Sequence, residues 1–287
     1  MLDPHPLPGR DVVVGGVRLH VVSHGRGGRL PLLLVHGVPT SSYLWRNVMR
    51  DLESTVPTVA ADLVGLGRSE RPRRHGYRLA EQAALLRGLL DELALPRVAL
   101  AGHAEGGAVA LELAALAPDR VAGIALLGTA AHPDAWPPPA VVPLLLPGVG
   151  RATLEVLRQL PGPARRAVRT ALGQLPDLEL DHYLAPLRSA EAARGLVRLV
   201  RSLDLAGTAA ALEILRPGAP PALVLWGTDD PVRSAAYGRR LAGELPGAVF
   251  VPVAGAGHLL PEECPERVAE ELAGFVAELP VTASADQ

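Results

Sequence analysis

Four segments of this 287-residue chain hold residue types and spacings able to do chemistry. In the first, Val98-Ala99-Leu100-Ala101-Gly102-His103-Ala104-Glu105-Gly106-Gly107, an apolar strand pattern enters a helical one through Gly-x-x-x-Gly-Gly. Small residues on both sides let the backbone bend sharply and let strand and helix pack closely, the form used to hold a nucleophile out from a sheet. Ser, Asp or Cys is expected at the centre of such a turn, and here the centre is Ala104. The second and third segments are Trp226-Gly227-Thr228-Asp229-Asp230-Pro231 and Gly255-Ala256-Gly257-His258. A histidine can take and return a proton near neutral pH, and a carboxylate beside it fixes the tautomer and stabilises the imidazolium. The fourth is Val35-His36-Gly37-Val38-Pro39, where glycine permits a tight turn that presents backbone N–H groups. A further loop, Asp62-Leu63-Val64-Gly65-Leu66-Gly67-Arg68-Ser69, has two glycines of a dinucleotide fingerprint, but Glu70 stands where the third belongs. It reads as a structural loop.

Positioning these segments requires a sheet whose strand ends converge. Residues 11–14 and 17–23 pattern as strands around Gly15-Gly16, followed by strands at 30–35, 57–61, 97–101 and 121–127. Helical patterns at 41–52, 78–93 and 106–117 alternate with them. This rhythm predicts a mostly parallel sheet with helices on both faces, and open sheets of that kind carry their sites at the strand ends. The rhythm breaks near residue 131. Up to about 216 the chain is proline-punctuated and helical, with candidate helices at 151–160, 164–175, 190–203 and 208–215. Alternation resumes with strands at 222–227 and 248–253 and helices at 234–245 and 265–279. One α/β domain with a helical insertion is the simplest organisation.

Composition narrows the chemistry. The balance of 28 basic against 30 acidic residues gives a net charge of −2, so no strong field attracts nucleic acid or an anionic membrane. All the basic residues are arginine. Without lysine there is neither a Walker-type phosphate loop nor a Schiff-base amine. The one cysteine, Cys264, permits no intrachain disulfide and suits a reducing cytoplasm. The N-terminal segment is polar and proline-broken, unlike a signal peptide, and the uncharged stretch 135–150 holds five prolines, unlike a membrane helix. The expectation is a cytoplasmic protein, monomer or homodimer, acting on a small molecule.

The combination HGVPTSSYLW, DLVGLGRS, GHAEGG, WGTDDP and GAGH, with the order turn–acid–histidine, resembles the α/β-hydrolase superfamily. Within it the chain is similar to the capped group of epoxide hydrolases, haloalkane dehalogenases and small esterases. The resemblance implies a mostly parallel eight-stranded sheet with helices on both faces and a helical cap inserted after strand 6. The core would be residues 1–130 and 206–287, and the cap 131–205. It also implies Asp230 as acid, His258 as base, and the backbone N–H groups of Val38 and Glu105 as an oxyanion hole. Glu105 is expected to offer its backbone rather than its side chain. His36, Gly37, His103, Trp136 and Tyr183 are the further residues placed around substrate, His103 as a hydrogen-bonding support and Tyr183 as one possible cap donor. No metal or organic cofactor is implied.

Ala104 departs from the family, because a methyl group cannot attack an acyl, alkyl or epoxide carbon. Dehalogenases of the family hold halide with a Trp after the nucleophile and often an Asn after His-Gly; this chain has Glu105 and Val38. The leading expectation is a hydrolase of a small ester, lactone or amide, disarmed at Ala104 to trap substrate. The alternatives are an enzyme using an Asp230–His258 dyad for elimination, cyclisation, decarboxylation or cofactor-free oxygenation, and a non-catalytic binder.

Overall fold

Alternate residues of the central strands feed two separate apolar cores, one on each side of the sheet. In β3 (Leu32–Val35), Leu33 and Val35 join one core while Leu32 and Leu34 join the other. All four are fully buried, as expected of a strand covered on both faces. The structure, a computed structural model, describes residues 6–280 apart from positions 29, 74–75, 136, 138–141, 147–148, most of 151–176, and 186–187. The expected helices at 151–160 and 164–175 therefore lie largely outside the described residues, as does Trp136.

Eight strands form one sheet in the order β1-β2-β4-β3-β5-β6-β7-β8. The remaining seven are β1 (Gly9–Val14), β2 (Val17–His24), β4 (Thr58–Ala61), β5 (Val98–His103), β6 (Val121–Leu127), β7 (Ala222–Gly227) and β8 (Val249–Val253). β1 pairs antiparallel with β2 and β2 with β4; every other pairing is parallel. The first core is covered by α2 (Leu79–Glu92) and α3 (Glu105–Leu116), and the second by α1 (Arg46–Asp51). Between β6 and β7 the described elements are all helical: a 3-10 turn (Pro133–Ala135), α4 (Val142–Leu145), α5 (Asp177–Leu184), α6 (Ala190–Ser202) and α7 (Leu205–Leu215). Ser189 and Asp204 cap α6 and α7 through their side-chain oxygens. After β7 come α8 (Ala235–Glu244), α9 (Leu260–Glu263) and α10 (Pro265–Glu278). Among the described residues no helix is long and apolar enough to cross a membrane.

The boundaries differ from the sequence pattern where local chemistry overrides apolar periodicity. The pattern at 41–52 is a 3-10 turn, Ser42–Trp45, followed by α1. Asp62 explains the break: its carboxylate accepts from the Ser42 N–H at 2.7 Å and the Arg68 N–H at 2.7 Å, tying that turn to the 62–69 loop. Gly67 of that loop serves this fold-back. A Cβ on Gly67 (φ +49°) would stand 2.2 Å from the Asp62 carboxylate.

Candidate active site

β5 runs two residues further than its apolar pattern, to His103, and α3 starts at Glu105, so one residue makes the turn. That residue, Ala104, has φ 51° and ψ −120°. A non-glycine residue in this region carries roughly 1–3 kcal/mol of strain. The turn closes through Ala104 N–H to Leu127 O at 2.9 Å and Gly107 N–H to Ala104 O at 3.1 Å. It is feasible only with glycine at its flanks: a Cβ on Gly102 would lie 2.4 Å from Gly107 Cα, and one on Gly106 would lie 2.3 Å from Val35 O. The same crowding applies to Gly37, where a Cβ would fall 2.8 Å from the Ala104 methyl.

The acid and the histidine come from loops after β7 and β8, which press on each other; a Cβ on Gly227 would sit 2.2 Å from Gly257 O. Asp230 Oδ2 lies 2.9 Å from His258 Nδ1, with both side chains almost wholly buried. Oδ1 of Asp230 accepts from the backbone N–H groups of Val232 at 2.7 Å and Arg233 at 2.9 Å. Burial alone would raise the Asp230 carboxyl, but the His258 hydrogen bond and charge, with those two N–H groups, bring it below the ordinary carboxylate range. A carboxylate only accepts, so Nδ1 carries the imidazole proton and Nε2 is left with its lone pair. Among the described residues nothing hydrogen-bonds to Nε2.

His103 supports this dyad from below. Its Nε2–H donates to the His258 carbonyl at 2.8 Å, and the two rings lie 4.9 Å apart. Burial, reinforced by the neighbouring His258, pushes the His103 imidazole down to about 3. It stays neutral in the fold while the unfolded chain takes up a proton near pH 6.5, so stability falls as pH is lowered from about 6.5 to about 3. We expect the chain to lose about 2 kcal/mol more than His103→Gln between pH 7 and pH 5, read from urea midpoints. Equal losses in the two proteins would show that His103 does not titrate this way.

His36 is fully buried, and both ring nitrogens are engaged: Nδ1–H donates to Gly37 O at 2.8 Å, and Nε2 accepts from Leu63 N–H at 2.9 Å. The ring fastens the His-Gly turn to the 62–69 loop and has no nitrogen left for substrate. Tyr183, on α5, is also internal. Its hydroxyl donates to Glu262, which accepts from Arg46 Nη1 at 2.5 Å. Burial and the Glu262 carboxylate drive the Tyr183 phenol well above its usual range. Tyr43 stacks on His182 at 3.5 Å and lies under the Arg46 guanidinium at 3.9 Å. This buried cluster joins α5 to the core; the expected cap donor is committed to it.

Val38 and Glu105 are brought together, but differently from the expectation. The Glu105 side chain is buried, and its Oε2 accepts from the Val38 N–H at 3.0 Å. Its Oε1 accepts from Arg233 Nη2 at 2.8 Å, in an ion pair whose side chains are 2% and 6% exposed. The expectation that only the Glu105 backbone faces the site is thus corrected, as is the expectation of a free amide at Val38. Burial alone would raise the Glu105 carboxyl, but the Arg233 charge and the Val38 N–H outweigh it and keep the group below its ordinary range. Sequence reasoning passed over Arg233. Its signal was position: an arginine three residues after Asp230, in the loop that follows β7. Among the described residues no group of three or more His, Cys, Asp or Glu is placed to hold a metal ion.

Residues 31–265 match the family model described as alpha/beta hydrolase fold. The chain is 30% identical over 268 residues to haloalkane dehalogenase 2 of Mycobacterium bovis, covering 88% of this chain and 89% of that protein. It is 28% identical over 277 residues to the uncharacterized hydrolase YugF of Bacillus subtilis, covering 94% and 98%. Among solved structures, the haloalkane dehalogenase DbeA from Bradyrhizobium elkani superposes with a TM-score of 0.80 at 28% identity, covering 94% of this chain and 97% of that one.

Proposed function

The chain belongs to the α/β-hydrolase fold family, and from that premise we propose that it is an acid–base enzyme whose Asp230–His258 dyad moves a proton on a small molecule without a covalent step. One observation carries this reading. The dyad is intact at 2.9 Å, with Nε2 unengaged among the described residues, while the elbow beside it bears only the Ala104 methyl. His258 would take a proton from a C–H or O–H acid, with Asp230 stabilising the imidazolium that forms. The described helices α4, α5 and α6 would cover the substrate. Haloalkane turnover, the activity in the relatives' names, fits poorly, since no nucleophile stands at 104 and halide would leave near the Glu105 carboxylate.

A second reading, a hydrolase of a small ester, lactone or amide disarmed at Ala104, is favoured by the retained strain at that residue. The elbow still has the backbone of a presented nucleophile.

The test sets the chain beside His258→Gln in deuterated water with enolisable ketones, β-hydroxy carbonyl compounds, lactones and p-nitrophenyl esters. We expect His258-dependent deuterium uptake or product formation, with no covalent adduct on the protein. Inertness of the unaltered chain towards all of them, with ester turnover appearing only in Ala104→Ser, would replace this reading by the disarmed hydrolase.

A further inference from the structure

We infer that Glu105 is a specificity-determining residue: its carboxylate is a resident anion in the place of the oxyanion, and it turns the site from acyl transfer towards substrates that give up a proton. This rests on the acid–base reading above. The geometry is specific. An oxyanion hole works because preorganised N–H donors point at the position where negative charge develops. Here one of the two expected donors, the Val38 N–H, already points at a formal negative charge at 3.0 Å. That charge is fixed from behind by Arg233, whose Nη1 also donates to Gly128 O at 3.2 Å. Gly128 in turn borders the dyad: a Cβ there would lie 3.2 Å from His258 Nδ1 and 3.7 Å from Asp230 Oδ2. The carboxylate also lies against the His-Gly turn, with Oε2 only 3.1 Å from the position of a Cβ on Gly37.

Two consequences follow for the chemistry. A carbonyl oxygen gaining negative charge would meet an occupied donor and a like charge, so a tetrahedral intermediate is disfavoured. When a proton passes from substrate to His258 Nε2, its electron pair stays on the substrate: a neutral acid would leave an anion beside Glu105, whereas a cationic acid leaves a neutral molecule and meets no like charge. The substrate class is therefore a cationic small molecule with an acidic proton, rather than an activated acyl compound.

The test restores a nucleophile and then clears the donor. A fluorophosphonate probe labels serine as the Oγ–P bond forms and the P–F bond breaks; fluoride leaves and the Oγ proton passes to His258. Ala104→Ser is compared with the triple change Ala104→Ser, Glu105→Met, Arg233→Met, which removes the ion pair as a unit. We expect the triple variant to be labelled at least about 100-fold faster, the usual effect of one oxyanion donor. Equal rates, or faster labelling of the single variant, would overturn the assignment. Should the triple variant not fold, hydrogen exchange at the Val38 amide of the unaltered chain decides. Strong protection supports the carboxylate bond, and exchange at the rate of an open loop amide refutes it. The acid–base reading is judged separately, on His258-dependent turnover by the chain with Ala104, so either can fail without the other.

Discussion

Arg233→Met is expected to lower the stability of the fold by about 3–5 kcal/mol at neutral pH, the range for breaking a buried ion pair on one side. Arg233 and Glu105 are 2% and 6% exposed, so water cannot replace the lost guanidinium. The Val38 N–H remains on Oε2 and offsets part of the loss, and Gly128 O loses a donor. Replacing both residues by methionine should recover part of that loss, because the desolvation penalty disappears with the charges while the Val38 N–H and Gly128 O each lose a partner. The pH dependence gives the sign. In the unaltered chain the Glu105 carboxyl is held below its ordinary value, so its contribution is present above pH 4.5 and lost as pH falls through the depressed value. With Arg233 gone, burial dominates and the carboxyl moves above its ordinary value, so acid now favours the folded variant. The gap between the two proteins should be widest at neutral pH and narrow below pH 4.5. Chemical denaturation at pH 7 and pH 4 measures both; a loss under about 1 kcal/mol at pH 7 would mean that the charge is not held buried.

How much of this was visible in the sequence depends on whether one segment or two carried the signal. The central strands were legible, because each is an unbroken apolar run such as Leu32–Val35 or Val121–Leu127. The elbow and the Asp230–His258 contact were legible too, from Gly-x-x-x-Gly-Gly and the chain order turn–acid–histidine. Contacts between distant segments were not. Nothing near Glu105 in the chain says that its side chain turns towards Val38, 67 residues earlier, and takes Arg233, 128 residues later. His36 failed for the same reason: its second nitrogen is engaged by Leu63, 27 residues on. Tyr183 was weighed as a cap donor because its partners, Arg46 and Glu262, are separated from it by most of the sheet's connectivity. The sequence DLELDHYL around it alternates polar and apolar residues, which gives only a weak helical apolar periodicity. Asp204 and Ser189 show the opposite case, where a capping residue close in sequence fixed a helix start.

Asp230→Asn is expected to lower turnover by about 10⁴-fold while leaving the fold in place, and the reason lies in which oxygen is already held. Oδ1 of Asp230 accepts from two backbone N–H groups, at 2.7 Å from Val232 and 2.9 Å from Arg233. An asparagine must put its carbonyl oxygen there, because its amino group cannot accept. The NH₂ is thereby forced towards His258 Nδ1, which now has to accept rather than donate. The imidazole proton moves to Nε2, and the lone pair that would take a proton from substrate is lost. The imidazolium also loses its buried counter-charge. Nitrogen-15 NMR of His258 reads the tautomer directly and needs no substrate: the protonated nitrogen should change from Nδ1 to Nε2. A variant that keeps the proton on Nδ1 and more than about a tenth of the turnover would remove Asp230 as the positioning residue. A variant that changes tautomer without losing turnover would remove His258 as the base, and with it the acid–base reading.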